Sequence, residues 1–294
     1  MNEEQLRNLP RLMDIRDFAP FVEGLDHPEG VACGPGGEVF AGGEAGQIYR
    51  ISPDGTVEQI ASTGGFILGL CLDAASAIYA CDMANHQVAR IAPDGTISTW
   101  SAGAPGRPMR VPNYPVFDAD GNLYVSDSGS SGKRDGCVFL VRPDGTTEVL
   151  AADLGAFPNG LALDAAGETL CVVLSDLPGV VAVDLRPGHD LAIRTLVELP
   201  RHVPDGLAFD VDGNLYISCY TPDVIYRLAP DGELAIVADD WASVTFATPT
   251  NIAFCGPERR TLVVASLSRW HLTRGEMPIA GQLLNYPSFA AGER

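Results

Sequence analysis

Several features that mark other protein classes are missing from this chain of 294 residues. Its N-terminus, MNEEQLRNLPRLMDIRDF, lacks the basic start and apolar run of a signal peptide, and no apolar stretch approaches the roughly 18 residues of a membrane span. Cationic residues are scarce, since 19 Lys and Arg stand against 38 Asp and Glu, for a net charge of −19. Such a surface repels phosphate backbones and anionic lipid, so we expect neither nucleic acid nor membranes as partners.

Cysteine pairs of the kinds used in disulfide frameworks and zinc sites are also absent. The seven cysteines are odd in number, form no CxxC pair and lie mostly inside apolar runs such as LGLCLD and LCVVL. This pattern predicts buried, reduced thiols in a cytoplasmic protein. No Ser-His-Asp pattern or phosphate-binding glycine loop stands out, because the glycines are spaced as turns.

What the chain does contain is a repeat. Pro-Asp-Gly recurs with its aspartate at positions 54, 94, 144 and 231, where the last interval of 87 residues corresponds to about two periods. Each copy lies between two strand-like runs, and Asp-Gly favours the tight turns of hairpins. The repeat therefore predicts paired antiparallel strands along the whole chain.

A second series runs in phase with the first and opens a short apolar strand each time. Its copies are HPEGVACG at Glu29, FILGLCLD at Leu68, VPNYPVFD at Asn113, FPNGLALD at Asn159, VPDGLAFD at Asp205 and TPTNIAFC at Thr250. Four strands in each of six units of roughly 45 residues predict an all-β, six-bladed β-propeller. A β-sandwich, the rival fold, has no reason to keep six registers of this size.

The ends of the chain complete this prediction. Arg16–Glu23 precedes the first copy, and we expect it to add an N-terminal strand to the last blade and close the ring, which removes a sheet edge. Residues 1–14 then form an N-terminal extension, and residues 15–294 form a single propeller domain.

One position of the repeat predicts a binding site. The innermost strands of a propeller surround a channel, so the six residues that follow the proline position form a ring at one mouth. Four of them carry side-chain oxygens: Glu29, Asn113, Asn159 and Asp205. One such motif alone is an ordinary turn, but four in phase predict a divalent metal site. Because the ring has no histidine or cysteine, Ca²⁺ is expected, with Mg²⁺, Mn²⁺ or Zn²⁺ as alternatives.

At these same residues the sequence resembles the family of gluconolactonase, senescence marker protein and luciferin-regenerating enzyme. The similar segments include RVPNYPVFDADGNLYVSDSG, PNGLALD and PDGLAFDVDGNLYIS, and the resemblance covers about residues 20 to 290. It implies a six-bladed propeller that binds Ca²⁺ or another divalent ion and hydrolyses sugar lactones. It also implies that Glu29, Asn159 and Asp205 hold the ion, with Asn113 as a direct or water-mediated ligand.

Two departures from the family pattern concern the substrate. The family often has Asp after the third-blade Asn, where this chain has Tyr114. A family arginine that contacts the substrate lies close before that Asn, whereas here Arg110 lies three residues before it. These differences leave the metal prediction intact and put a small, very polar sugar substrate in doubt.

The remaining site residues follow from strand direction. Because the first two strands of a blade are antiparallel, the loop after the second strand opens on the same face as the ring. This predicts acidic Asp82 and Asp127 near the ion, although both could instead cap the strand that they follow. The expected pocket is completed by apolar walls from Met83, Tyr114, Tyr220 and Trp270 and by Arg110 as a substrate contact.

The function expected from these residues is a metal-dependent lactonase. The ion would polarise the ester carbonyl of a lactone while water attacks, with Asp205 as the first choice of general base and Asp127 as the second. A related esterase or organophosphate hydrolase with the same ion is an alternative, and so is a propeller that binds a ligand or protein without catalysis. The four-oxygen ring favours an enzyme with a small-molecule substrate.

Overall fold

The computed structural model describes residues 1–130, 132–152 and 154–289, and it confirms the predicted propeller. In this part of the chain, six sheets each contain four antiparallel strands, arranged around a common channel. Strand β1 covers Phe18–Glu23 and belongs to the last blade. It pairs with the final strand of the chain, for example Phe18 with Gly275, so the predicted ring closure by the N-terminal strand is confirmed.

The first three blades follow β1 in chain order. Blade one consists of β2 (Val31–Cys33), β3 (Val39–Gly42), β4 (Gln47–Ile51) and β5 (Val57–Ser62). Blade two consists of β6 (Ile67–Leu72), β7 (Ile78–Asp82), β8 (Gln87–Ile91) and β9 (Ile97–Ser101). A small hairpin of β10 (Gly103–Ala104) and β11 (Arg107–Pro108) comes next. Blade three consists of β12 (Pro112–Phe117), β13 (Leu123–Asp127), β14 (Cys137–Val141) and β15 (Thr147–Ala151).

The last three blades complete the circle. Blade four consists of β16 (Pro158–Leu163), β17 (Thr169–Leu174), β18 (Gly179–Asp184) and β19 (Ile193–Glu198). Blade five consists of β20 (Val203–Phe209), β21 (Leu215–Thr221), β22 (Val224–Leu228) and β23 (Leu234–Asp239). Blade six consists of β24 (Pro249–Cys255), β25 (Thr261–Ser266) and β26 (His271–Glu276), with β1 as its outer strand. The helices are short: α1 (Glu3–Arg7) and the 3₁₀ turns Ile15–Asp17 and Leu267–Arg269.

In five of the six blades the outer strand is the least buried, and in blade five the N-terminal extension covers outer strand β23. All six residues of β16 and all seven of β24, both innermost strands, are buried. In the outer strand β5, by contrast, no residue is fully buried. A strand covered on both faces needs an almost continuous apolar run, whereas an outer strand tolerates polar residues. The core therefore lies between neighbouring blades.

A β-bulge shapes the innermost strands at the predicted ring position. In blade four, Pro158 pairs with Leu174 but the next pair is Leu161 with Val172, so β16 has one extra residue at Asn159 and Gly160. The innermost strands of blades two, three, five and six show the same shift. A bulge changes the direction of a side chain. Here it separates the ring residue from the regular pleat of its strand.

Neighbouring innermost strands approach closely at this bulge. A Cβ atom added to Gly160 would lie 2.3 Å from the carbonyl oxygen of Asp205 in the next blade, so only glycine fits there. The close approach brings the ring residues of adjacent blades towards one another.

The far end of the channel is closed by the C-terminal segment, residues 277–289. Its side chains hydrogen-bond carbonyl oxygens where three innermost strands end: Gln282 Nε2 to Leu163 (3.0 Å), Asn285 Nδ2 to Phe117 (3.0 Å) and Tyr286 OH to Cys33 (3.0 Å). Beneath it lies an apolar internal cavity of about 80 Å³. The C-terminal segment therefore covers the channel at the face opposite the ring.

The N-terminal extension packs on blade five. Leu6 is fully buried in a cluster that includes Ile217 and Tyr226, and the backbone N–H of Leu12 donates to the carbonyl of Ile236. The division of the chain at residue 14 stays a prediction, and residues 290–294 of the predicted domain lie outside the described residues. Among the described residues, no helix has the length and apolar character to cross a membrane.

We predict that the C-terminal segment is held chiefly by Phe289. Its ring packs at 5.5–6.0 Å, between centroids, from Tyr79, Trp100 and Phe117. Phe289→Ala should lower the free energy of unfolding by about 2 kcal/mol, because it removes an aromatic side chain from a packed cluster. Leu283→Ala, at a residue 65% exposed in the same segment, is the control and should cost almost nothing. Equal midpoints of both variants in guanidinium titrations would contradict this anchoring role.

Candidate metal centre at the channel mouth

The predicted ring residues lie together at the start of the innermost strands. Asn113, Asn159 and Asp205 are only 1%, 4% and 5% exposed, whereas Glu29 keeps partial access to solvent. The two ring positions without a predicted ligand are also buried: Leu68 presents an apolar side chain, and Thr250 donates its hydroxyl to the carbonyl of Glu29 at 2.8 Å. The oxygen-bearing side chains therefore come from blades one, three, four and five.

Serines directly after the second strands of blades three and four orient the side chains of Asn113 and Asn159. The hydroxyl of Ser175 donates to the carbonyl of Pro204 in the next blade at 2.7 Å, and the Nδ2 of Asn159 lies 3.3 Å from the same hydroxyl. A hydroxyl has one proton, and here it is given to a carbonyl. Its contact with the amide must therefore come from the amide NH₂ group, so the amide oxygen of Asn159 points elsewhere.

Blade three repeats this arrangement. Ser128 donates to the carbonyl of Pro158 at 2.8 Å, and the Nδ2 of Asn113 lies 3.2 Å from its hydroxyl. The orientation of both amides thus follows from hydrogen bonds that link one blade to the next.

The consequence is a set of buried oxygens without a donor. Among the described residues, Oδ1 of Asn113, Asn159 and Asp205 are buried and have no hydrogen-bond partner. Leaving such an atom unpaired inside a protein costs on the order of 1–3 kcal/mol. A hard cation coordinated by amide and carboxylate oxygens offsets this cost, and Ca²⁺ prefers that donor set. The residues present therefore fit the predicted ion.

One residue of this region was not found by sequence reasoning. Asn251, one position after Thr250, is fully buried, and its Oδ1 also has no partner while its Nδ2 donates to the carbonyl of Glu29 at 3.1 Å. Four blades have glycine at the position after the ring residue, so the asparagine found there in blade six is an exception that the sequence already shows. The sequence prediction took Thr250 as the ring residue of blade six and did not consider Asn251.

The pKa values of the two carboxyl groups of the ring, Glu29 and Asp205, are raised above their ordinary values. Burial raises the pKa of Asp205 to about 7, against a smaller opposing effect of a hydrogen bond from Asn159. Burial, together with the charges of Asp205 and Glu44, raises the pKa of Glu29 well above its ordinary value. Both shifts have the sign expected of carboxyl groups gathered without a cation.

The carboxylates of the other two predicted acids, Asp82 and Asp127, accept hydrogen bonds from backbone N–H groups. The carboxylate of Asp127 accepts N–H groups of Arg110 at 2.6 Å, Val111 at 3.2 Å and Gly129 at 2.8 Å. Asp82 in blade two likewise accepts the backbone N–H of Phe66 at 3.1 Å. These bonds favour the capping alternative for both residues and leave Asp205 as the acid that faces the ring.

The predicted substrate contacts divide into two groups. Met83 directly follows second strand β7, Tyr220 lies near the end of second strand β21, and both side chains are at least partly exposed; their contact with a substrate stays a prediction. The guanidinium of Arg110 is paired with Asp135 at 2.7 Å and also contacts Ser130. Tyr114 differs from the expectation. It belongs to innermost strand β12, is 9% exposed and lines the internal cavity rather than the loops around the mouth.

The absence of a Cβ at Gly69 explains the position of Tyr114. A Cβ there would lie 2.7 Å from Cδ2 of Tyr114, so the ring of the tyrosine occupies space that a glycine of the neighbouring blade leaves open. Tyr114 thereby fills the channel beneath the metal centre.

The raised pKa values make a prediction about the metal-free protein. A carboxyl group with a folded-state pKa of about 7 and an ordinary value of 3.8 stabilises the fold fully below pH 4, and this contribution is lost as the pH rises through 7. Denaturant titrations in EDTA should show about 3 kcal/mol less stability at pH 8 than at pH 5 from this group. Asp205→Asn should remove most of that difference; if the variant keeps the full slope, Asp205 is not its source.

Comparisons with known proteins show the family of this chain. The family model described as SMP-30/Gluconolactonase/LRE-like region matches residues 102–268, and a strictosidine synthase-like N-terminal model matches residues 22–51. Regucalcin from Xenopus laevis is 26% identical over 138 residues, which are 46% of this chain and 45% of that protein. The match thus spans less than half of the length of the curated relative.

Solved structures share the fold at low sequence identity. A gluconolactonase from Xanthomonas campestris has a TM-score of 0.77 and 21% identity, with 89% of each chain covered. A luciferin-regenerating enzyme has a TM-score of 0.77 and 16% identity, with 93% of this chain and 99% of that chain covered. Because the family model spans more than half of the sequence, this six-bladed propeller belongs to the SMP-30/gluconolactonase/LRE-like family.

Proposed function

We propose that this protein is a hydrolase that opens a lactone ring with the help of one divalent ion, Ca²⁺ by preference. The observation that carries the proposal is the group of buried, unpartnered oxygens of Asn113, Asn159 and Asp205 beside the carboxyl group of Glu29. The family supports a lactone as the substrate, and one solved neighbour, from Agrobacterium tumefaciens, is described as a calcium-binding protein, regucalcin.

Glu29, Asn113, Asn159 and Asp205 would hold the ion. When bound, it supplies a positive charge that polarises an ester carbonyl and stabilises the oxyanion formed on attack. Two carboxylates balance the charge of a divalent cation, and the amides add neutral oxygens without further repulsion. The serine contacts of Asn113 and Asn159 keep these amides oriented before any ligand arrives.

Asp205 is the proposed general base. It is a buried carboxyl group of the ring, and among the described residues no backbone N–H occupies its Oδ1, unlike the carboxylate of Asp127. A carboxylate in this position can orient a water molecule towards a bound carbonyl and take its proton. We therefore assign Asp127 to the support of the loop that carries Val111 and not to proton transfer.

The setting of this activity is expected to be the cytoplasm, with a small molecule as the partner. All seven cysteines are free, and six of them are buried, which is compatible with a reducing compartment.

Catalysis should depend on the metal and on Asp205. In a panel of lactones, esters and a phosphotriester, we expect lactone hydrolysis that EDTA abolishes and added Ca²⁺ restores. Asp205→Asn should lower kcat/KM by at least about 100-fold, since it removes both a charged ligand and the base. Asp212→Asn, an exposed aspartate in a turn of the same blade, is the matched control. Hydrolysis that survives both EDTA and Asp205→Asn would refute the proposal.

The serine contacts should matter for metal affinity. Ser175→Ala removes the group that holds the amide of Asn159, so Ca²⁺ binding measured by calorimetry should weaken by about 10-fold. Ser101→Ala is the matched control, because its buried hydroxyl is hydrogen-bonded to that of Thr147 at 2.8 Å, between the outer strands of blades two and three. If both variants bind Ca²⁺ equally well, the orientation of Asn159 does not depend on Ser175.

A further inference from the structure

A second layer of residues lies outward of the ring, two positions before each ring residue. Its six members are partly or largely exposed, unlike most ring residues: His27, Phe66, Val111, Phe157, Val203 and Thr248. Four of the six are apolar. We call the space that they surround the vestibule.

Backbone hydrogen bonds fix the position of this layer along the channel axis. The carbonyl of Phe66 accepts the N–H of Met83 at 2.8 Å, and the carbonyl of Val111 accepts the N–H of Ser128 at 2.9 Å. Each donor is the first residue after a second strand. The layer therefore lies where the innermost strands begin and the second strands end, directly outside the metal centre.

Blade two gives the vestibule a continuous apolar side. Leu68 occupies the ring position, Phe66 lies outward of it, and Met83 is bonded to Phe66 through the backbone. In a ring of six blades, blade two is opposite blade five, which carries Asp205. A substrate whose carbonyl lies at the metal centre would thus place the rest of its body against carbon atoms.

Exposed aromatic residues extend this surface on the other side. Trp270 is 48% exposed and its ring lies 4.6 Å, between centroids, from that of His27 in an edge-on contact. Tyr220, near the end of β21, is 36% exposed. Aromatic side chains left accessible beside a polar site are typical of ligand contacts.

Polar groups around the vestibule are largely engaged with one another. The guanidinium of Arg110 pairs with Asp135, and Nδ1 of His27 lies 2.7 Å from a carboxylate oxygen of Glu44. The hydroxyl of Thr248 lies 2.6 Å from that of Ser268. A polyhydroxylated substrate would compete with these contacts for its own hydrogen bonds, whereas an apolar body would leave them in place.

We propose that the vestibule selects lactones with an apolar body, alkyl or aromatic, over sugar lactones. The inference rests on the proposed lactonase activity and assigns the substrate class of that same site. Phe66, Val203 and Trp270 are the proposed specificity-determining residues, and the ring residues act on the ester group common to all lactones.

A homologous series tests the proposal with the Ca²⁺-loaded protein. From γ-butyrolactone to γ-nonalactone, kcat/KM should rise about three- to fourfold for each methylene that enters the vestibule, until the space is filled. Dihydrocoumarin tests an aromatic body, and glucono-δ-lactone tests the sugar class. The apolar lactones should exceed glucono-δ-lactone by at least tenfold.

Two variant pairs locate the effect. Val203→Thr keeps the shape of the side chain at a residue 37% exposed and should flatten the chain-length series, mainly through KM; Val57→Thr, 38% exposed on an outer strand of blade one, should leave it unchanged. For Trp270 the substitution is Trp270→Asn, because asparagine tolerates the left-handed backbone conformation at this position (φ 58°). It should weaken turnover of dihydrocoumarin, and Trp241→Asn, at a tryptophan 96% exposed in another loop, should not.

The possible outcomes separate the two proposals. Metal-dependent hydrolysis in which glucono-δ-lactone is the better substrate, or a series without chain-length dependence, would overturn the vestibule assignment and leave the lactonase proposal standing. Hydrolysis of no lactone by the Ca²⁺-loaded protein would overturn both. A series that rises with chain length and flattens in Val203→Thr but not in Val57→Thr supports the assignment.

Discussion

The proposed metal centre depends on hydrogen bonds from the serines directly after two second strands to the carbonyls of the next blade. Ser128 and Ser175 each join one blade to its neighbour and, with the same hydroxyl, hold an asparagine side chain. The amide oxygens are consequently left in the channel without donors, at a cost that the surrounding fold must offset. The centre is therefore preorganised by contacts that also hold the ring of blades together.

The close approach of the innermost strands has a second consequence, which is the crowding of acids. Burial raises the pKa of both Asp205 and Glu29, and the charge of Asp205 raises the pKa of Glu29 further. A divalent cation would relieve this repulsion. The proposed affinity for the ion and the lower stability expected without it would thus have the same physical cause.

The two ends of the channel differ in what covers them. At the far end, hydrogen bonds from Gln282, Asn285 and Tyr286 close the innermost strands under the C-terminal segment, and Tyr114 fills the space beneath the metal centre. In the proposed function, the substrate would reach the ring from the vestibule. The apolar blade-two side and the internally paired polar groups of the vestibule are the features on which the proposed preference for apolar lactones rests.

Much of this could be predicted from the sequence, because a propeller is a local repeat. The period of Pro-Asp-Gly and of the ring motif predicted six blades and the closing strand, since each blade is built from residues close in the chain. It also predicted that four oxygen-bearing side chains meet at one mouth of the channel, and that they hold an ion stays a prediction. Only the tertiary structure could decide what Asp127, Asp82, Tyr114 and Asn251 do. Their roles depend on backbone N–H groups, on a glycine in the neighbouring blade and on a one-residue shift at a bulge, and repeat spacing does not encode contacts of this kind.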